Sequence, residues 1–154
     1  MPDITTPVAP VRKTVTVPIP PARAFEIFTN EIGLWWPLAS HSVGLEHATA
    51  VSMGTAVGDQ VVELKDDGTT SVWGTVVRSD PPNELALTWH AGRPAENPTL
   101  LEITFRLAPG GTDVELVHSG WERWANGGAT ANAYREGWIP VLSRFQAHAA
   151  NSTA

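Results

Sequence analysis

His118 closes a stretch, 112–118, in which Val114, Leu116 and His118 fall on one side by alternation. An imidazole on an otherwise apolar face has two readings. It is a core histidine whose nitrogens are satisfied by neighbours, or it is a polar handle and general acid/base inside a cavity. Tyr134 and Glu63 are the other side chains that could move a proton with it. Glu63 is the acid flanked by the apolar Val61, Val62 and Leu64 of its expected strand, and turned inward it would be a carboxyl whose pKa burial raises. Val62 and Leu64 claim the apolar face of that strand, so Glu63 is expected to meet solvent. His41, His47, His90 and His118 show no tight ligand spacing and no accompanying carboxylate cluster, so no metal site is expected. No spacing supports a Ser-His-Asp arrangement. Asn126-Gly127-Gly128 precedes a helix but lacks the lysine and the preceding strand of a phosphate loop.

Tryptophan is the unusual component: seven residues, against one tyrosine and four phenylalanines. Each indole is large and carries one N–H that needs an acceptor when buried. Such residues pack a core, or they line an apolar cavity with a few polar handles. Trp89 shares a face with Leu85 and Leu87 and is expected inside, whereas His90 is expected outward or at the strand end. Trp73 opposes Val72 and Val76 by alternation, which leaves its direction open. Trp121 follows His118 where the strand ends and is either a core residue or a cap on that end of the cavity. Tyr134 and Trp138 lie one helical turn apart. In Gly33-Leu34-Trp35-Trp36-Pro37-Leu38-Ala39-Ser40-His41-Ser42, adjacent side chains cannot share one environment. Either one indole packs on the core while the other lines a cavity entrance near His41, or Pro37 fixes a rigid corner and both rings cover the sheet edge.

The elements that must position these groups follow from periodicity. Alternation over 11–17 predicts a strand that Pro18 ends. Pro20-Pro21 opens a helix whose apolar face is Ala24, Phe25, Ile27 and Phe28, with Asn30 and Gly33 ending it or starting a second short helix. Weak strand character at 49–52 is followed by strands at 59–64, 70–78, 84–90, 99–107 and 112–118. Asp66-Asp67-Gly68, Ser79-Asp80-Pro81-Pro82 and Pro109-Gly110-Gly111 supply turns between them. Leu101, Ile103, Phe105 and Leu107 alternate with Glu102, Thr104 and Arg106, as one buried face of an antiparallel meander requires. From about residue 129, Tyr134, Trp138, Val141, Leu142, Phe145 and Ala149 form a helical stripe, with a kink expected at Pro140. One helix cannot cover the whole inner face of a twisted sheet of about seven strands, and the gap is the expected ligand cavity. Residues 1–10 and 150–154 read as tails and 11–149 as a single domain.

The remaining composition excludes several classes. Net charge is −6 without a basic block, which argues against nucleic acid and anionic membrane surfaces. No cysteine is present, so disulfides, thiolate catalysis and cysteine-ligated zinc are excluded. No signal peptide and no apolar run of about 18 residues is found, so a cytoplasmic protein without membrane insertion is expected.

Three stretches carry a resemblance. Val15-Thr16-Val17-Pro18-Ile19-Pro20-Pro21-Ala22-Arg23-Ala24-Phe25-Glu26-Ile27-Phe28 resembles the opening strand and helix of the START-like, helix-grip superfamily, also called SRPBCC. The pattern from Gly74-Thr75-Val76 through Pro81-Pro82 to the strand ending at Trp89 is similar to its mid-sheet. Val114-Glu115-Leu116-Val117-His118-Ser119-Gly120-Trp121, with Gly137-Trp138 and Leu142, resembles the branch named for the activator of heat-shock protein 90 ATPase. The resemblance spans 11–149 and implies an α+β helix-grip fold: a curved antiparallel sheet of about seven strands gripping a long C-terminal helix, with one or two short helices after the first strand. It implies an internal apolar cavity, and members that bind lipids, hormones or polyketides or cyclise polyketides.

Three functions are therefore expected in descending order. The first is binding of a small apolar, aromatic or lipid-like molecule, without a cofactor, by Trp36, His41, Trp73, Trp89, His118, Trp121, Tyr134 and Trp138. The second is a cyclase- or hydrolase-type enzyme using His118 with Tyr134 or Glu63, which needs at least two polar groups converging in the cavity. The third is a chaperone-associated interaction module, which needs an exposed patch that the solvated pattern of Glu102, Thr104, Arg106, Asp113 and Glu115 does not indicate.

Overall fold

Val11 and Val17 anchor the first strand, β1 (Val11–Val17), by burying its two ends while Arg12, Thr14 and Thr16 face out. The computed structural model describes residues 8–152; most of the expected 1–10 tail lies outside the described residues. After β1 come α1 (Pro21–Thr29) and α2 (Ile32–Trp35), then β2 (Ala48–Met53), β3 (Gln60–Lys65), β4 (Thr70–Asp80), β5 (Glu84–Trp89), β6 (Thr99–Ala108), β7 (Gly111–Ser119) and α3 (Gly127–Asn151). The strands form one antiparallel sheet in the order β1-β7-β6-β5-β4-β3-β2. β2 through β7 are a meander, and β1 pairs with its last strand, placing Val11 opposite His118 and Val17 opposite Thr112. This is the α+β helix-grip architecture: a curved sheet of seven strands around a long C-terminal helix.

α1 starts where proline tolerates a missing N–H, with Pro20 extended at the cap and Pro21 in the first turn. It buries Ala24, Phe25, Ile27 and Phe28. Its end is tied down by Trp35, whose indole N–H donates to the Ile27 carbonyl at 2.9 Å, satisfying one of the carbonyls a helix end leaves open. Phe28 touches Phe105, Phe145 and Trp35 at ring-centroid distances of 5.8, 5.2 and 5.4 Å. This aromatic cluster fills one end of the space between α3 and the sheet. Glu31 joins the α1–α2 corner to α3, accepting from Arg23 and facing His148 Nε2 at 2.9 Å. Those two partners hold its carboxyl below the usual range, His148 most strongly.

α3 continues through Pro140 as one helix and on to Asn151, past the expected domain end at residue 149. Leu107, expected on the buried face of β6, is 80% exposed, at the end of the β6–β7 hairpin beside Pro20 and Pro21. Among the described residues no helix is long and apolar enough to cross a membrane.

In β3 one expectation about side-chain direction is overturned, and in β4 a direction the sequence left open is fixed. Glu63 is fully buried, while its neighbour Leu64 is 42% exposed. Trp73 is buried as well. Glu63 alternates inward with the buried Val61, and Trp73 is turned inward by a β-bulge: Val61 pairs with Gly74 but Val62 pairs with Val72, so Trp73 is an extra residue on β4. A bulge breaks the period-2 rule and turns the extra side chain to the same face as its neighbour. Gly74 beside it lets the β5 backbone come close, because a Cβ there would lie 1.9 Å from the Thr88 carbonyl oxygen.

Candidate functional site

The bulge, the segment after α2 and the middle of α3 together enclose a cavity of about 490 Å³, partly open to solvent. Four indoles form most of its wall: Trp36, Trp73, Trp89 and Trp138. Trp36 sits among the other three at centroid distances of 5.0, 6.1 and 5.8 Å. Tyr134 and His41 add polar groups to the lining. The cavity exists because α3 is small where it could have been bulky. Ala133 and Gly137, one turn apart, face the gap beside Tyr134, Trp138 and Val141. Ala91 and Gly92 do the same from the loop after β5.

The two adjacent tryptophans divide their duties. Trp35 is 3% exposed and joins the phenylalanine cluster. Trp36 lines the cavity, and the rings lie 5.8 Å apart, so the pair couples the core to the cavity wall.

All seven indole N–H groups are donated within the protein. Trp35 bonds Ile27 O and Trp36 bonds His41 O, at 2.9 and 2.6 Å. Trp73 reaches the Glu63 carboxylate at 2.8 Å and Trp89 the Tyr134 oxygen at 3.2 Å. Trp121 and Trp124 donate to the carbonyls of His118 and Asn97, both at 2.8 Å. Trp138 donates to Nδ1 of His118 at 3.2 Å. The cavity wall therefore presents aromatic faces and edges with its indole polarity already used.

His118 and Trp121, both expected in the wall, are instead fully buried behind it and do not line the cavity. The His118 ring packs 4.0 Å from Trp121 and 4.9 Å from Tyr134, centroid to centroid. Since an indole nitrogen only donates, Nδ1 is the acceptor and Nε2 carries the proton. Nε2 lies 2.8 Å from Thr99 Oγ1, whose hydroxyl donates to the Trp89 carbonyl. Burial pushes this imidazole down to about 3. His118 is a neutral strut with both nitrogens engaged, which is the core-histidine reading. Glu63 likewise lies outside the cavity lining. Its carboxylate accepts from Trp73 and from the backbone N–H groups of Val43 and Gly44, at 2.8, 2.8 and 2.7 Å.

Tyr134 has the opposite character. Its oxygen accepts from Trp89, which leaves the phenol O–H to donate. Burial raises its pKa, against the Trp89 bond and the nearby Arg93, which lower it. Arg93 stacks over Trp124 at 4.0 Å, near this end of the cavity. His41 has Nδ1 2.7 Å from Ser40 Oγ, and its Nε2 edge faces Gly137. His90 is buried at the strand end with Nδ1 on the Arg93 carbonyl. Among the described residues no three histidine, aspartate or glutamate side chains gather as a metal ion would need.

Sequence reasoning missed the small lining residues, Val43 and Val141. The signal for Ala133 and Gly137 was present: they fall on the Tyr134–Trp138–Val141 side of the helix, where a small residue is a hole rather than a gap in the stripe.

Comparison with known proteins places this geometry in a family. An anthrahydroquino-gamma-pyrone synthase, Txn09, is 30% identical, with 95% of this chain and 98% of that one covered and a TM-score of 0.64. Protein MLL2253 from Mesorhizobium loti is 16% identical over 94% of this chain and 98% of its own, with a TM-score of 0.66. The Aha1 dimer from Colwellia psychrerythraea is 16% identical over 93% and 97%, also with a TM-score of 0.66. The last two likenesses show the fold alone. No curated protein sequence matches significantly. The family model described as activator of Hsp90 ATPase homolog 1-like protein matches residues 18–150, and the chain belongs to that family.

Proposed function

We propose that the protein binds a planar, apolar aromatic molecule in the tryptophan-lined cavity, held by Tyr134 at one carbonyl or phenolic oxygen. One observation carries the reading: four indole rings wall a cavity of about 490 Å³ while their N–H groups are bonded elsewhere. Such a wall rewards ring stacking and edge contacts and gives a polar ligand little to bond to. The phenol O–H of Tyr134 is the exception, and it suits a ligand acceptor. The 30% identical relative is named as a synthase of an anthrahydroquinone-type gamma-pyrone, which supports a fused-ring, oxygenated ligand.

A proton-transfer enzyme is the second reading, favoured by His41 lining the cavity together with Tyr134. His118 and Glu63 are not part of it, because both are engaged outside the lining. A chaperone-associated role rests on the family name. The outer sheet face offers it little, since Arg78 is already paired with Glu84 and Glu102. A cytoplasmic location remains our proposal on the sequence grounds given above. Calorimetric titration with hydroxyanthraquinones, flavonoids and fatty acids tests the primary reading. Saturable binding of the fused-ring compounds, ahead of the fatty acids, is expected; binding of fatty acids alone contradicts it. Product formation from a bound compound would move the assignment to the second reading.

A further inference from the structure

Glu63 has no exposed surface, and a buried carboxylate is costly unless several hydrogen bonds replace its water. Here three N–H groups do so. Two of them belong to Val43 and Gly44, at the end of the 37–44 segment that follows Trp36. The segment itself contains neither helix nor strand. Within it, Ser42 Oγ donates to Leu38 O and His41 N to Pro37 O, and Trp36 Nε1 reaches His41 O from just before it. Yet His41, Ser42 and Val43 line the cavity, so this segment is its cover. The third bond on Glu63 comes from Trp73, a ring of the opposite wall. Gly44 is fitted to the approach, since a Cβ there would lie 2.9 Å from Glu63 Oε2 and 3.1 Å from the Lys65 side chain.

We infer that Glu63 is a positioning residue: its carboxylate clips the 37–44 segment down over the cavity and aims Trp73 into it. The closed cover and one wall then share a single buried group. The bonds on Val43 and Gly44 must open for the segment to lift, so the clip sets how fast a ligand enters and leaves. That consequence rests on the ligand-binding reading; the clip itself does not.

Amide hydrogen exchange on the full chain tests it, comparing wild type with Glu63→Gln and Gly44→Ala. Glutamine keeps the shape but turns an N–H₂ group toward N–H donors. Alanine forces the segment away while leaving the carboxylate in place. Exchange at Val43 and Gly44 is expected to accelerate about tenfold or more in each folded variant, with β6 and β7 amides within about twofold of wild type. Unchanged exchange at residues 43 and 44, or equal acceleration across the sheet, would overturn the clip. Stopped-flow mixing with 1,8-dihydroxyanthraquinone is the second readout. Association and dissociation are both expected to rise about fivefold, with Kd moving less than either rate. Unchanged rates beside accelerated local exchange would remove the gating role. No binding by any form, with local exchange accelerated, would uphold the clip and sink the ligand reading instead.

Discussion

Trp138 donates its indole N–H to Nδ1 of His118 at 3.2 Å, and this bond makes the histidine a neutral strut. Protonating His118 would set two hydrogens against each other at Nδ1 and place a charge in a dry interior. The bonds run on through Thr99 to the Trp89 carbonyl, so the strut holds two cavity indoles on opposite elements, α3 and β5.

The strut gives stability a defined pH dependence. His118 is lowered from 6.5 to about 3 in the folded protein. The unfolded chain therefore binds a proton below pH 6.5 that the folded protein refuses. Stability is full above pH 6.5 and falls as pH drops, by about 1.4 kcal/mol per unit until the folded value is reached. Urea unfolding at pH 7 and pH 5 should differ by roughly 2 kcal/mol from this group. In His118→Gln that difference should largely vanish. The depressed Glu31 carboxyl acts in the same direction but below its ordinary value of 4.5, outside this window. An equal pH slope in both proteins would contradict the strut.

Neighbouring tryptophans should respond differently to truncation. Trp35→Ala removes a buried ring from the phenylalanine cluster and should cost about 3–5 kcal/mol in chemical denaturation. Trp36→Ala enlarges an existing cavity and should cost less, about 1–2 kcal/mol. Equal costs would mean that both rings serve the core.

Two glycines should also separate. Gly74→Ala drives a Cβ to 1.9 Å from backbone at Thr88, and should cost about 3 kcal/mol or prevent folding. Gly128→Ala meets nothing within 4 Å in the first turn of α3. It should stabilise by about 0.5 kcal/mol, because alanine loses less chain entropy in a helix. Thermal melts of the two variants check the pair.

Much of this architecture was legible in the chain because single-face burial writes itself as alternation. Ile103 and Phe105 on β6, and Val114, Leu116 and His118 on β7, are buried as the pattern requires. Sequence alone failed where local geometry breaks the period. Val62 and Leu64 looked like the inner face of β3, but the bulge opposite them reverses nothing on β3; it turns Trp73 inward to meet a Glu63 that was inside throughout. The hydrogen bonds that make a buried carboxylate tolerable come from residues 43 and 44, and no periodicity encodes so distant a partner. His118 was placed on the correct face, but whether that face met cavity or core depended on Tyr134 and Trp138 standing in front of it.

The most direct test of the account is a titration of intrinsic tryptophan fluorescence with 1,8-dihydroxyanthraquinone, in wild type, Trp36→Ala and Tyr134→Phe. Saturable quenching is predicted for wild type. Affinity should fall about tenfold in Trp36→Ala, which removes stacking surface, and about fivefold in Tyr134→Phe, which removes the phenol O–H donor. Quenching that is linear and the same in all three proteins would mean that the cavity does not hold the ligand.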